Sequence, residues 1–136
     1  MAASAALALS VIADEVYIHP SASSGSVGCV CCLYDTSKAL EMAGVKPVYI
    51  ASTPGKTPFD ETGAFSKEFL ADLQEDVTRL GNQFAAHVSK YTGIPIDQII
   101  AMDAKMYHAD KAVEMGLANK VMNHKQFAAY LAGNQG

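Results

Sequence analysis

Ser4 is the first side chain in this chain that could act as a nucleophile. It sits between alanines in Ala2-Ala3-Ser4-Ala5-Ala6 and opens an apolar run. A serine at a helix start is ordinarily a cap, its oxygen accepting an N–H of the first turn. The same position also suits acyl transfer, because orphan N–H groups and the positive end of the helix dipole can stabilise an oxyanion. Small neighbours would let a substrate carbonyl approach the backbone. Lys56 is the second notable residue. It stands alone in the Pro/Gly loop Ser52-Thr53-Pro54-Gly55-Lys56-Thr57-Pro58, where a lysine is ordinarily a solvated surface charge.

Other chemistries find little support. His19, His87, His108 and His124 are scattered, form no HExxH pair, and read as surface or capping residues. There is no GxSxG elbow and no GxGxxG. Gly25-Ser26-Val27-Gly28 lacks the GKS/T end of a phosphate loop. The three cysteines, Cys29, Cys31 and Cys32, are neither CxxC nor zinc-spaced. They read as reduced thiols in an apolar strand, implying a reducing compartment. No metal ligand set and no cofactor is implied.

The elements that must position these residues come from one expected domain, residues 1–136. Half of the residues are hydrophobic and 18% are charged, which argues against disorder. With 10 Lys+Arg and a net charge of -4, nucleic acid is disfavoured as a partner. Ala5 to Ala13 looks like a signal-peptide core, but the first basic side chain is Lys38, so no basic n-region precedes it. The run is also shorter than the ~20 apolar residues of a membrane span. A buried helix is expected.

Strands are expected at Val16–His19, Gly28–Tyr34, Val48–Ala51 and Ala118–Met122. Loops are expected at Ser21–Gly28 and Ser52–Phe65. Asp35 or Thr36 can cap a helix over Ser37–Ala43 that Gly44 ends. Ser66 can cap the longest helix, Lys67 to Tyr91, whose Phe69, Leu73, Val77, Leu80, Phe84, Val88 and Tyr91 form one apolar stripe. That stripe most simply covers a sheet; an oligomer contact is the alternative. Shorter helices follow near Asp97–Met102, His108–Met115 and His124–Leu131, with a turn at Ala104–Lys105. Alternating strands and helices give an α/β class with a largely parallel sheet.

Several segments together carry a resemblance. Ala2-Ala3-Ser4-Ala5-Ala6, Ala13-Asp14-Glu15-Val16-Tyr17 and Ser24-Gly25-Ser26-Val27-Gly28 resemble the signal peptide peptidase A family of Ser–Lys proteases. Asp35-Thr36-Ser37-Lys38-Ala39-Leu40-Glu41-Met42-Ala43-Gly44 resembles its phage branch, the head-maturation (capsid assembly) peptidases. Tyr107 to Val121 is similar to that family's Y-x-G-x-x-A-x-x-x-G-L-x-D-x-V segment, departing at Ala109 and Asn119. The resemblance covers nearly the whole chain.

It implies a Clp protease/crotonase-like α/β fold, incomplete at the N-terminus, since the family has a substantial portion upstream of the serine. By the resemblance Ser4 falls on the nucleophile and Lys56 on the general base. Ser26 falls on a serine that holds the lysine, and the Ala5 N–H on one oxyanion donor. A lysine base must be neutral to accept the Ser4 proton, which burial favours. The substrates implied are phage scaffold, portal or coat proteins, in the host cytoplasm or prohead. Exposed sheet edges lead us to expect a homo-oligomer, weakly active or inactive by itself. The alternative is a non-catalytic capsid-assembly or scaffold remnant. A crotonase-like acyl-CoA enzyme is disfavoured, because Ser4 and Lys56 have no role there.

Overall fold

A computed structural model describes residues 1–133. In chain order the elements are β1 (Ala2–Ala3), α1 (Ala5–Ser10), β2 (Tyr17–Ile18), β3 (Ser23–Gly25), α2 (Ser37–Met42) and a 3₁₀ turn (Pro54–Lys56). They continue with α3 (Lys67–Thr92), α4 (Ile96–Ala101), β4 (Met106–His108), α5 (Ala109–Glu114), β5 (Lys120–Val121) and α6 (His124–Gly133). The chain divides into two compact units, Met1–Gly28 with the segment from Leu80 onward, and Cys29–Arg79.

The first unit is mixed α/β. One small sheet has the order β1-β3-β4, with β1 parallel and β4 antiparallel to β3. A second pairs β2 with β5 in parallel, Tyr17 opposite Lys120 and Ile18 opposite Val121. The unit holds one apolar core in which Leu7, Val88, Ile99, Ala112 and Leu117 are essentially without solvent contact. Helices α1, α3, α4 and α5 contribute Leu7, Ala85 with Val88, Ile99, and Ala109 with Ala112, whereas α6 buries none and Leu80 and Tyr91 of the expected α3 stripe are exposed. Polar contacts tie elements to it. The His87 Nε2–H donates to the Ala8 carbonyl (2.8 Å), joining α3 to α1. Asn119 accepts the Val16 N–H at 2.6 Å and donates its own N–H to the Val16 carbonyl at 2.7 Å.

At the end of this unit Glu15 accepts both the Tyr17 and the Tyr130 hydroxyl, each at 2.6 Å. The hydrogen bond from Tyr130, then that from Tyr17, holds the Glu15 carboxyl below its ordinary range. The same carboxylate pushes the Tyr17 phenol up. Asn123 and Gln126 form a reciprocal cap on α6: Asn123 Oδ1 accepts the Gln126 N–H and Gln126 Oε1 accepts the Asn123 N–H, both at 2.9 Å.

The second unit contributes no residue to the buried apolar core. Its order comes from rings instead: Tyr49, Phe59, Phe65 and Phe69 stack in sequence, with centroids 5.0, 5.1 and 5.7 Å apart. Turn hydrogen bonds add to this. Asp60 accepts the Thr62 N–H and hydroxyl, and those bonds, the hydroxyl's first, lower its pKa. Asp35 is lowered in the same way by Ser37.

Two expected strands do not form. Gly28–Tyr34 and Val48–Ala51 have no ladder partner, and Val30 is 91% and Ile50 97% exposed. β-Propensity reports fit to a pleated, half-buried surface, and neither segment finds one among the described residues. Consequently Cys29, Cys31 and Cys32 are exposed free thiols, not thiols in a covered strand. In the opposite direction, Ser23–Gly25 pairs as β3 inside the expected Ser/Gly loop, and Met106–His108 forms β4 between the expected turn at Ala104–Lys105 and the helix expected from His108. Of the expected start and end signals, the Thr36 hydroxyl makes no cap, and the Ser37 N–H goes to Asp35 instead, while two others hold. Ser66 Oγ accepts the Phe69 N–H (3.2 Å), and Gly44 follows α2 at φ 72°.

Candidate functional site

Ser4 is the hinge between β1 and α1. The strand holds it from one side: Ala2 lies opposite Ser24 and Ala3 opposite Gly25, and the Ser4 N–H donates to the Gly25 carbonyl at 3.0 Å. The helix takes over at Ala5, and the Ser4 carbonyl accepts the Ala8 N–H at 3.1 Å. To turn from strand to helix within one residue, Ser4 adopts φ 52° and ψ -118°. That conformation is rare for a residue with a Cβ and costs on the order of 1–3 kcal/mol.

The Ser4 hydroxyl makes no capping hydrogen bond. The commonest reason for a serine at this position is therefore absent, and the side chain stays unspent at a half-buried position. A sharp, strained strand-to-helix turn presenting a free hydroxyl is the mechanical arrangement of a nucleophile elbow, here without the GxSxG sequence. Ala5 and Ala6 are exposed beside it. As first-turn residues their N–H groups have no intrahelical acceptor.

Ser26 stands next to Ser4. It follows β3 as Ser4 follows β1, and the two strands are parallel and in register, so both serines leave the sheet at the same end. Ser26 also has a positive φ, 60°, and its N–H donates to the Lys105 carbonyl at 3.0 Å. Ser24, one of the few polar residues in the interior, uses its hydroxyl on the Ala2 carbonyl at 3.2 Å. Small residues are obligatory here: a Cβ on Gly25, whose φ is 141°, would lie 2.2 Å from the Lys105 carbonyl oxygen.

Lys56 belongs to the second unit. It closes the 3₁₀ turn, its N–H donating to the Thr53 carbonyl at 3.1 Å, and its side chain is exposed. It borders an open cleft of about 490 Å³ whose walls include Val48, Tyr49, Ile50 and Phe59. Ser4, Ala5 and Ser26 are thus brought together in one unit, and Lys56 stands on the other. A larger cleft of about 560 Å³ lies around Lys38, Glu41, Lys46 and Glu61 and contains none of these four residues. Three of the histidines are engaged otherwise, His87 with Ala8 and His19 against His124 with ring centroids 5.1 Å apart, and His108 is exposed. No group of three or more metal-ligating side chains is clustered among the described residues.

The Gly25 carbonyl and the Lys105 carbonyl were not evident from the sequence, because main-chain groups carry no residue-type signal. The only pointer is the glycine at position 25, between two serines.

The family model for peptidase family S49 matches residues 1–135. The chain belongs to peptidase family S49. Two curated relatives come from phages. The head-tail preconnector protein GP5 of Enterobacteria phage P21 is 25% identical over 131 residues, covering 96% of this chain and 26% of that protein. The capsid assembly protease C of Escherichia phage lambda is 27% identical over 123 residues, covering 90% of this chain and 28% of that protein. The chain therefore spans about a quarter of the length of these curated relatives. No helix among the described residues is long and apolar enough to cross a membrane.

Proposed function

We propose that this S49 chain carries the nucleophile and base of a serine endopeptidase that processes phage capsid or scaffold proteins. Ser4 attacks the peptide carbonyl and Lys56, as the neutral amine, accepts the Ser4 proton. The Ala5 N–H donates to the oxyanion and Ser26 holds the lysine. The lysine then delivers its proton to the leaving amine, and water hydrolyses the Ser4 acyl-enzyme. The fold is of the Clp protease/crotonase type. The working form is a homo-oligomer, active in the host cytoplasm or the prohead, in which the exposed segments 28–34 and 48–51 are paired and covered.

The observation that carries this reading is the Ser4 main chain, held at φ 52° and ψ -118° with its hydroxyl making no capping bond among the described residues. Capsid proteins are the favoured substrates because one curated relative is by name a capsid assembly protease and the other a head-tail preconnector protein, both of phages.

The experiment is cleavage. Incubation with a purified phage scaffold or coat polypeptide, read by intact mass, gives discrete cut products that Ser4→Ala abolishes. Uncut substrate, under conditions in which light scattering shows a defined oligomer, sinks the peptidase reading. That result supports the second reading, a non-catalytic assembly remnant. One observation favours the remnant: Lys56 is exposed, whereas a lysine base needs a site that disfavours its charge.

A further inference from the structure

The link between α4 and β4 is the most strained segment outside the candidate site. Asp103 and Ala104 follow one another at φ 50° and 52°, the left-handed region that a residue with a Cβ enters reluctantly. Neither is glycine, so both residues carry backbone strain in this turn. It is closed by the Lys105 N–H, which donates to the Met102 carbonyl at 3.0 Å, and it points the Lys105 carbonyl at β3.

That carbonyl accepts the Ser26 N–H at 3.0 Å. The other end of the same peptide unit, the Gly25 carbonyl, accepts the Ser4 N–H at 3.0 Å. A single peptide plane, Gly25–Ser26, is therefore clamped at both ends, by the turn on one side and by Ser4 on the other. Rotating it breaks both bonds at once. The fit is close on every side. Gly25 has no room for a Cβ against Lys105, and a Cβ on Gly28 would lie 3.3 Å from the Ala104 Cβ. Chains of hydrogen bonds in this sense also polarise one another.

We propose that the Asp103–Ala104–Lys105 turn is a positioning element for the nucleophile, its Lys105 carbonyl fixing the Gly25–Ser26 peptide that in turn fixes the Ser4 main chain. The turn touches no reacting atom. It acts on catalysis only by setting where the Ser4 hydroxyl points, so its catalytic part rests on the Ser4 reading above.

The test uses two single variants and one rescue. Ala104→Val places a β-branched side chain at φ 52° and drives the turn out of the left-handed region. Gly28→Ala presses on the Ala104 methyl from below. Gly28→Ala combined with Ala104→Gly removes that contact and keeps the turn. In both single variants, amide hydrogen exchange at Ser4 and Ser26 is expected to accelerate. Inactivation by a fluorophosphonate is expected to lose about 10- to 10²-fold in its maximal rate, with its half-saturating concentration and pH midpoint unchanged. The double variant recovers both readouts.

Unchanged exchange at Ser4 and Ser26 in folded single variants overturns the proposal. So does faster exchange with an unchanged inactivation rate. If Ala104→Val does not fold, Gly28→Ala and its rescue decide. If even the wild-type chain is not labelled at Ser4, the peptidase reading has failed, and the exchange data still decide whether the clamp exists.

Discussion

Replacing Ser4 by alanine should leave stability almost untouched, which is unusual for a serine at a helix start. Losing an N-terminal cap costs about 1 kcal/mol as a rule. Ser4 makes no capping bond, and alanine suffers the same positive φ, so both sides of the balance are unchanged. The expected effect of Ser4→Ala is within about 0.5 kcal/mol of zero. Asn123 provides the contrast in the same unit, since its side chain does cap α6 and Gln126 returns the bond. Asn123→Ala should cost about 1 kcal/mol, or about 4 °C in melting temperature for a chain of this size. A third variant tests the strain. Ser4→Gly relieves about 1–3 kcal/mol of backbone strain and gives back about 0.5–1 kcal/mol to the freer unfolded chain, so it should be stabilising by about 1 kcal/mol. Urea unfolding of the three variants, followed by circular dichroism and fitted with a common slope, supplies the numbers. If Ser4→Ala loses as much as Asn123→Ala, and Ser4→Gly is destabilising, the hydroxyl is a cap and the strained-turn argument collapses.

Gly25→Ala should destabilise by about 3 kcal/mol or more, because the new methyl meets a carbonyl oxygen at 2.2 Å in a conformation alanine avoids; a melting temperature equal to wild type contradicts the close packing of β3 on Lys105. The Glu15 carboxyl is lowered by the Tyr130 and Tyr17 hydroxyls, so its contribution is present above the unfolded carboxyl pKa and lost as pH falls through the lower folded value. A stability profile between pH 6 and 2 should therefore steepen in the wild type and flatten in Glu15→Gln, and identical profiles would exclude the linkage. Ellman's reagent should titrate Cys29, Cys31 and Cys32 rapidly in the native chain, since all three thiols are exposed; slow reaction would show the 28–34 segment already covered, and oligomerisation by pairing of that segment should slow it.

What could be read from the sequence follows the range of the interactions involved. Helix α3 and its Ser66 cap were legible because both the period and the cap act within a few residues. The glycine at position 44 ends α2 for the same local reason. β1, β3 and β4 were not legible. They consist of Ala, Ser and Gly and of Met106–His108, and they exist because main-chain groups of segments far apart in sequence pair with one another, at Gly25 too closely for a side chain. Gly28–Tyr34 and Val48–Ala51 fail in the other direction. Their composition suits covered strands, yet a strand needs a neighbour, and none of the described residues supplies one. At the site, residue type singled out Ser4 and Lys56, and family resemblance added Ser26 and Ala5. The bend at Ser4 and the clamp on Gly25–Ser26 are main-chain features and leave almost no trace in the sequence.

The central claim is that the Ser4 oxygen is activated by the Lys56 amine. Its most direct test is the second-order rate at which an active-site-directed phosphonate modifies Ser4, located by peptide mass mapping, across pH 6 to 10. The account predicts modification confined to Ser4 and slowed by about 10²–10⁴-fold in Lys56→Ala. Equal rates in the wild type and Lys56→Ala at every pH would contradict it.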